Sequence, residues 1–183
     1  MRCLVFRARV LSRFVVVGIL VLLGSVAAAG HALAAPPAGL VNPMDCLREW
    51  DDNPDYMGEG WPQARVFSGN GVTLKCGDVS TGVVHISDPN STGKGHPIEV
   101  STEAAFLGCL SLTVHFGKSR PDKNYPDTRS RISYAFTSLK SSHGAATATA
   151  IVENDGSLVR TFYTSTGASG NDWESCAAST EMA

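Results

Sequence analysis

The sequence predicts an α+β domain in which an antiparallel β-meander packs with one or two helices and is stapled by two disulfides. Three observations predict this class. Strand-like segments separated by turn residues fill the C-terminal half of the chain, a segment with helical spacing precedes them, and an even number of cysteines follows an export signal.

The N-terminal segment, residues 1–34, is typical of a secretory signal peptide. Its arginines precede an uncharged apolar stretch, Phe14 to Ala29, and an A-x-A cleavage site ends it at Ala34. An uncleaved anchor is the alternative, but the apolar run is short for a span of about 20 residues. We therefore expect a secreted protein that leaves the membrane after cleavage, with residues 35–45 as a flexible Pro-rich lead-in and 46–178 as one globular domain.

Removal of the signal peptide would make the chain more acidic. The signal contains four of the 15 Lys+Arg and none of the 17 Asp+Glu, so 15 − 4 = 11 basic residues remain against 17 acidic ones, a formal net charge of −6. This balance opposes broad electrostatic attraction to nucleic acid or anionic membrane, although it permits a local basic pocket. We expect a monomer.

The mature chain contains four cysteines, Cys46, Cys76, Cys109 and Cys176. An even count in an exported chain predicts two disulfides, and three pairings are possible. We favour Cys76–Cys109 in the core and Cys46–Cys176 between the termini. The cysteine spacings lack C-x-x-C and the histidines lack ligand spacing, so we expect no metal site and no cofactor.

The N-terminal half predicts short elements. A helical turn is expected over Asp45 to Trp50 and a hairpin over Ala64 to Cys76, where Asn70-Gly71 is a favoured turn. Val83 to Ser87 is predicted as a short strand. Three aromatic residues of this half are interpreted as packing residues or, on a sharper hypothesis, as a ligand platform: Trp50, Tyr56 and Trp61.

The stretch Thr102 to Gly117 fits two patterns. Phe106, Cys109 and Leu110 lie at helical spacing, whereas the residues after Gly108 also alternate as in a strand. We favour the helix. A polar loop is expected over Lys118 to Thr128. Three antiparallel strands should follow it, over Arg131 to Leu139, Ala145 to Glu153 and Ser157 to Ser165.

The candidate functional residues gather in two places. His85, His96 and Lys94 lie in or beside a polar loop, and imidazole suits general acid–base chemistry near neutral pH. Thr161 and Tyr163 share one face of the last predicted strand, where their hydroxyls can bind a phosphate or substrate oxygen. A surface role for the histidines and ordinary strand composition for Thr161 and Tyr163 are the alternatives.

Taken in order, these segments resemble the small ribonuclease-toxin fold of barnase, the colicin tRNases and the mRNA interferases. The similarity lies in Gly82-Val83-Val84-His85-Ile86, then His96, then Val159-Arg160-Thr161-Phe162-Tyr163, and it covers roughly residues 75–166. The Asp88 to Gly93 loop departs from the family by interrupting the spacing between the two histidines.

The resemblance implies RNA cleavage without metal or cofactor. It implies that His85 is base or acid, that His96 or Lys94 is its partner, and that Thr161 and Tyr163 contact phosphate. Arg131 and Arg160 would add positive charge. The rival hypothesis is a non-catalytic exported domain that binds an extracellular protein partner or a small ligand, in which the three aromatic residues above matter more.

Overall fold

A four-stranded antiparallel sheet forms the centre of the computed structural model, which describes residues 39–87, 96–155, 157–166 and 170–179. The fold is α+β, as predicted. Its strands are β1 (Arg65–Gly69), β2 (Val72–Lys75), β3 (Lys118–Pro121), β4 (Arg129–Thr137), β5 (Ala145–Glu153) and β6 (Val159–Ser165). Its α-helices are α1 (Pro43–Asp52), α2 (Gly82–Ser87), α3 (Glu103–Phe116) and α4 (Trp173–Ala178), and a 3₁₀ turn covers Trp61–Gln63. None of the helices in these ranges is long and apolar enough to cross a membrane.

The large sheet is a meander with the order β3-β4-β5-β6. The three predicted C-terminal strands are confirmed with small shifts at their ends. The loop predicted for residues 118–128 is wrong in its first four positions, which form β3. That strand pairs with β4 through its backbone while all four of its side chains stay exposed, so it has no apolar alternation to reveal it.

The stretch from Thr102 to Gly117, which fitted two patterns, forms helix α3. The helix prediction is confirmed, and the strand alternative after Gly108 is wrong. The buried residues of α3 include Phe106, Cys109, Leu110 and Thr113, which follow helical spacing. Phe106 packs edge-on against Phe162 of β6 and Trp173 of α4, with ring centroids 5.7 and 5.2 Å apart. This aromatic cluster fixes which face of the sheet the helices cover.

The short hairpin is confirmed, and its turn explains its register. Asn70 and Gly71 both have positive φ, 50° and 76°, as a two-residue turn of this kind requires. Strands β1 and β2 pair on either side of it as a separate two-stranded sheet.

The strand predicted for Val83 to Ser87 is wrong, because these residues form helix α2. Val83, Val84 and Ile86 are all fully buried, which a short apolar run allows in either conformation. Gly82 begins the helix with φ 76°, and a Cβ there would lie 2.5 Å from the carbonyl oxygen of Lys75. Only a residue without a side chain fits at this position, so the turn into α2 requires glycine here.

Two disulfides are present as predicted, but the favoured pairing is wrong. The bonds are Cys46–Cys76 and Cys109–Cys176. The first joins α1 to the end of the hairpin, and the second joins α3 to α4. Cys109 faces α4 because α3 packs along that helix, a tertiary contact that cysteine spacing does not encode.

Part of the predicted lead-in packs against the domain. Val41 is buried and its N–H donates to the carbonyl oxygen of Arg65 at 2.8 Å. Tyr56 and Trp61 are also buried, and Trp50 packs edge-on against Tyr56 at 5.2 Å between ring centroids. The packing interpretation of these aromatic residues is confirmed, and with two of the three buried they do not form an exposed ligand platform.

Candidate functional site

An open cleft of about 440 Å³ lies on the side of the large sheet opposite α3. This volume is within the roughly 300–1,000 Å³ typical of small-molecule sites. Its walls come from β4, β5, β6, α2, the turn before α2 and the loop between β3 and β4. The lining residues are Ser80, His85, Asp122, Asn124, Tyr125, Arg129, Arg131, Ile151, Arg160 and Thr161.

The register of the sheet places the Arg131 guanidinium and the Thr161 hydroxyl on the cleft side. Arg131 pairs with Ile151, and Ile151 pairs with Thr161, so the three side chains form one row across β4, β5 and β6. Because Phe162 packs under the sheet against α3, its neighbours Thr161 and Tyr163 face the cleft side.

Arg160 reaches the cleft through an irregularity in β6. Ile151 pairs with Thr161 while Val152 pairs with Val159, which leaves Arg160 as an extra residue in a β-bulge. The guanidinium is then held by Glu153 Oε1, to which Nη1 donates at 2.7 Å, and by the Ser80 carbonyl oxygen, to which Nη2 donates at 3.2 Å. Strict alternation would have put Arg160 and Thr161 on opposite faces, and the bulge brings both into the cleft.

Helix α2 presents His85 to the cleft. Its Nδ1 lies 2.8 Å from the carbonyl oxygen of Val79. Since a carbonyl oxygen only accepts hydrogen bonds, this contact puts the hydrogen on Nδ1 and makes Nε2 the atom that gains or loses a proton.

His96 follows α2 along the chain and lies on the cleft side of the sheet. Its backbone N–H donates to the carbonyl oxygen of Ile86 at 2.7 Å, and its ring stacks on Tyr163 with centroids 5.4 Å apart and 18° between the planes. Burial, and after it the charge of His85, hold the pKa of His96 below its usual range. The ring is therefore neutral at neutral pH and able to accept a proton.

The loop between β3 and β4 and the first residue of β4 supply cleft residues that sequence reasoning missed. Arg129, Asn124 and Tyr125 line the cleft beside the residues predicted from sequence, and Asp122 is buried at its floor. Arg129 was detectable in principle, because it shares a strand face with Arg131 two residues later. The contributions of Asn124 and Tyr125 depend on how the loop folds.

The cleft has more basic than acidic side chains, although the chain as a whole is acidic. Three guanidinium groups, those of Arg129, Arg131 and Arg160, line it together with one carboxylate, that of Asp122. Asp122 lies 3.8 Å from the Arg131 guanidinium, and Glu153 contacts Arg160 from outside the lining. A cluster of guanidinium groups is suited to a phosphate or carboxylate ligand.

Four residues predicted from the sequence, His85, Thr161, Arg131 and Arg160, thus line one cleft. Tyr163 and His96 stack beside it. Lys94 lies outside the described residues. A larger groove of about 710 Å³, at the edge of β4, is lined by no histidine and no carboxylate, so it offers no acid–base pair.

Within the described ranges, no group of three His, Cys, Asp or Glu side chains is placed to hold a metal ion. Comparison of the chain with protein-family models, with curated proteins and with solved structures finds no match.

Proposed function

We propose that this chain is an exported endoribonuclease that cleaves RNA without a metal ion. One observation carries the proposal: His85, Thr161 and the arginines Arg131 and Arg160 line a single cleft, although they come from three separate segments of the chain. Guanidinium groups and a hydroxyl supply a phosphate site, and an imidazole beside it supplies proton transfer.

RNA cleavage of this kind needs a base, an acid and groups that hold the phosphate. A base removes the proton of a ribose 2′-hydroxyl, O2′ forms a bond to phosphorus, and the bond from phosphorus to O5′ breaks. An acid gives its proton to the departing O5′, so the products are a 2′,3′-cyclic phosphate and a 5′-hydroxyl. The arginines stabilise the charge that builds on the phosphoryl oxygens.

The two imidazoles take complementary roles in this proposal. His96, which a lowered pKa keeps neutral, is the base. His85 is assigned the role of acid: with Nδ1–H bonded to the Val79 carbonyl oxygen, a proton carried by the imidazolium on Nε2 is the one that it would give to the departing O5′. Thr161 contacts the phosphate, and Tyr163 orients His96 through their stacked rings.

The cleft supports this proposal more strongly than the family motif does. Gly82 to Ile86, which resembles a strand motif of the ribonuclease toxins, is helical here. The match at Val159 to Tyr163 does lie on a strand, and on the cleft side of the sheet His85 lines the cavity with Thr161 while His96 stacks on Tyr163. We propose a ribonuclease-toxin-like site carried partly by different local structure.

Export is part of the proposal. A signal-like N-terminus and two intramolecular disulfides are consistent with an oxidising compartment outside the cytosol. A local basic cleft on a mature chain that would have a formal net charge of −6 also favours selective phosphate binding over general adhesion to nucleic acid.

The test is cleavage of single-stranded RNA by purified, oxidised Ala35–Ala183 in EDTA. We expect cleavage with a 2′,3′-cyclic phosphate product, and no cleavage at a position where a 2′-deoxynucleotide replaces the ribonucleotide. Cleavage that persists at the 2′-deoxy position, or a folded protein that leaves RNA intact, contradicts the proposal.

A further inference from the structure

Tyr125 is an exposed aromatic residue at the rim of the cleft. The residue is 53% exposed, whereas most aromatic side chains are largely buried against apolar neighbours. The Arg129 guanidinium covers one face of the ring, with its central carbon 4.0 Å from the ring centroid. This cation–π contact fixes the ring plane beside the cleft.

The loop that carries Tyr125 is held by a network of hydrogen bonds. The buried Asp122 Oδ1 accepts from the backbone N–H groups of Asn124 and Tyr125, at 2.9 and 3.1 Å. The Arg129 N–H donates to the Tyr125 carbonyl oxygen at 2.9 Å, and Asn154 Nδ2 donates to Pro126 O at 3.2 Å. A planar group on such a loop is pre-organised, so little conformational entropy is lost when a ligand binds it.

The Tyr125 ring adjoins the cationic part of the cleft. Tyr125, Arg131 and Thr161 line the same cavity, and Asn124 adds an amide with both donor and acceptor atoms. An aromatic face, an amide and guanidinium groups in one cavity match the three parts of a nucleotide: the base plane, the base edge and the phosphate.

We infer that Tyr125 and Asn124 form a nucleobase subsite, and that the substrate is single-stranded RNA with one base unstacked onto Tyr125. The identity of the polymer rests on the proposed function. The base stacks on the exposed part of the ring, Asn124 contacts the base edge, and the adjoining phosphate lies on Arg131 and Arg160. A base held in a duplex cannot reach this ring without unpairing, so the subsite selects unpaired nucleotides.

The experiment measures the affinity of the oxidised mature chain for two non-cleavable ligands of equal charge. One is a single-stranded 2′-O-methyl oligonucleotide, and the other is an abasic oligonucleotide of the same length. We expect the base-containing ligand to bind roughly 5- to 150-fold more tightly, the range that stacking of one base supplies. Tyr125→Ala should abolish that preference, whereas Tyr125→Trp should retain it because indole also stacks.

Equal affinity for the two ligands, no binding of either ligand, or a preference that survives Tyr125→Ala in a folded variant overturns the inference. RNA cleavage is scored separately. Base preference without cleavage contradicts the proposed function alone, and cleavage without base preference contradicts the subsite alone.

Discussion

Arg131 of β4 and Thr161 of β6 stand on either side of Ile151 in one row across the sheet. Backbone pairing, rather than a loop, fixes the spacing of this guanidinium and this hydroxyl. Strand β6 also contributes Phe162 to the aromatic cluster under the sheet, so the proposed phosphate site and the core depend on one register.

Replacement of Arg131 should weaken RNA binding in a salt-dependent way. We expect Arg131→Gln to lower the affinity for a 2′-O-methyl RNA strand and to reduce the slope of log K against log salt by about 0.7, the value for one lost phosphate contact on a single strand. Arg65→Gln is the matched control, because Arg65 is exposed on β1 away from the cleft lining. An unchanged slope for Arg131→Gln would contradict the assignment of the phosphate site.

The pKa of His96 predicts how stability depends on pH. Burial and the charge of His85 lower the pKa of His96 in the folded chain, while unfolding returns it to about 6.5. Below that pH the unfolded chain therefore binds more protons than the folded chain, so the free energy of unfolding falls as the pH falls through this window. Above that pH His96 is neutral in both the folded and the unfolded chain, so it adds no pH dependence to the free energy of unfolding.

His96→Phe removes the titrating group and keeps an aromatic ring on Tyr163. Urea unfolding at about pH 7.5 and about pH 5 should show a smaller loss of stability in this variant than in the parent. Equal losses in the two proteins would show that His96 titrates as an exposed histidine does.

Gly82→Ala should destabilise the chain and impair the cleft. The new Cβ would lie 2.5 Å from the carbonyl oxygen of Lys75, so α2 and His85 would have to shift. Gly71→Ala is the matched control, since Gly71 has the same φ of 76° and a Cβ there meets nothing within 4 Å. Both variants incur left-handed strain of about 1–2 kcal/mol.

Thermal unfolding and RNA cleavage separate the two glycine variants. Only Gly82→Ala should show the additional loss of stability and a fall in cleavage. Equal effects of the two substitutions would mean that the close approach at Gly82 does not position α2.

The disulfide pairing is open to direct mapping. Peptide mapping without reduction should recover Cys46 linked to Cys76 and Cys109 linked to Cys176. Because the second bond closes a 67-residue separation, we expect the double change Cys109→Ala, Cys176→Ala to reduce the free energy of unfolding by about 4 kcal/mol. Recovery of a Cys46–Cys176 peptide would contradict the fold described here.

Much of the fold was predictable because its patterns are local. The end of β4 and much of β6 alternate between buried and less buried positions, and the buried stripe of α3 repeats at helical spacing. Val83 to Ser87 misled the prediction because its three buried apolar residues, Val83, Val84 and Ile86, fit a short strand and a short helix equally. The conformation there is decided by Gly82 and its contact with the hairpin, which is tertiary information.

The candidate site was predictable in its residue types but not in its assembly. His85, Arg131 and Thr161 could be selected for their chemistry, yet their common cleft depends on how α2 packs against β6. The bulge that turns Arg160 into the cleft has no sequence signal, and Tyr125 stood in a segment that reads only as a polar loop. The assembly of this candidate site therefore depends on long-range pairing.

The most direct test of the account is the RNA cleavage rate of His85→Asn beside the parent in EDTA. Asparagine can still donate a hydrogen bond to the Val79 carbonyl oxygen, so the variant should fold. It cannot transfer a proton, so it should lack the acid. His115→Asn is the control, because His115 is exposed on α3 and its Nδ1 also lies near a backbone carbonyl oxygen, 3.2 Å from that of Ser111.

We predict that His85→Asn slows cleavage by roughly 10²–10⁴-fold, as loss of a general acid does. RNA with sulfur in place of the departing O5′ should restore much of that loss, because a thiolate leaves without protonation. His115→Asn should cleave as the parent does. Parental activity in His85→Asn, or no cleavage by a folded parent, would contradict the claim that this cleft cleaves RNA.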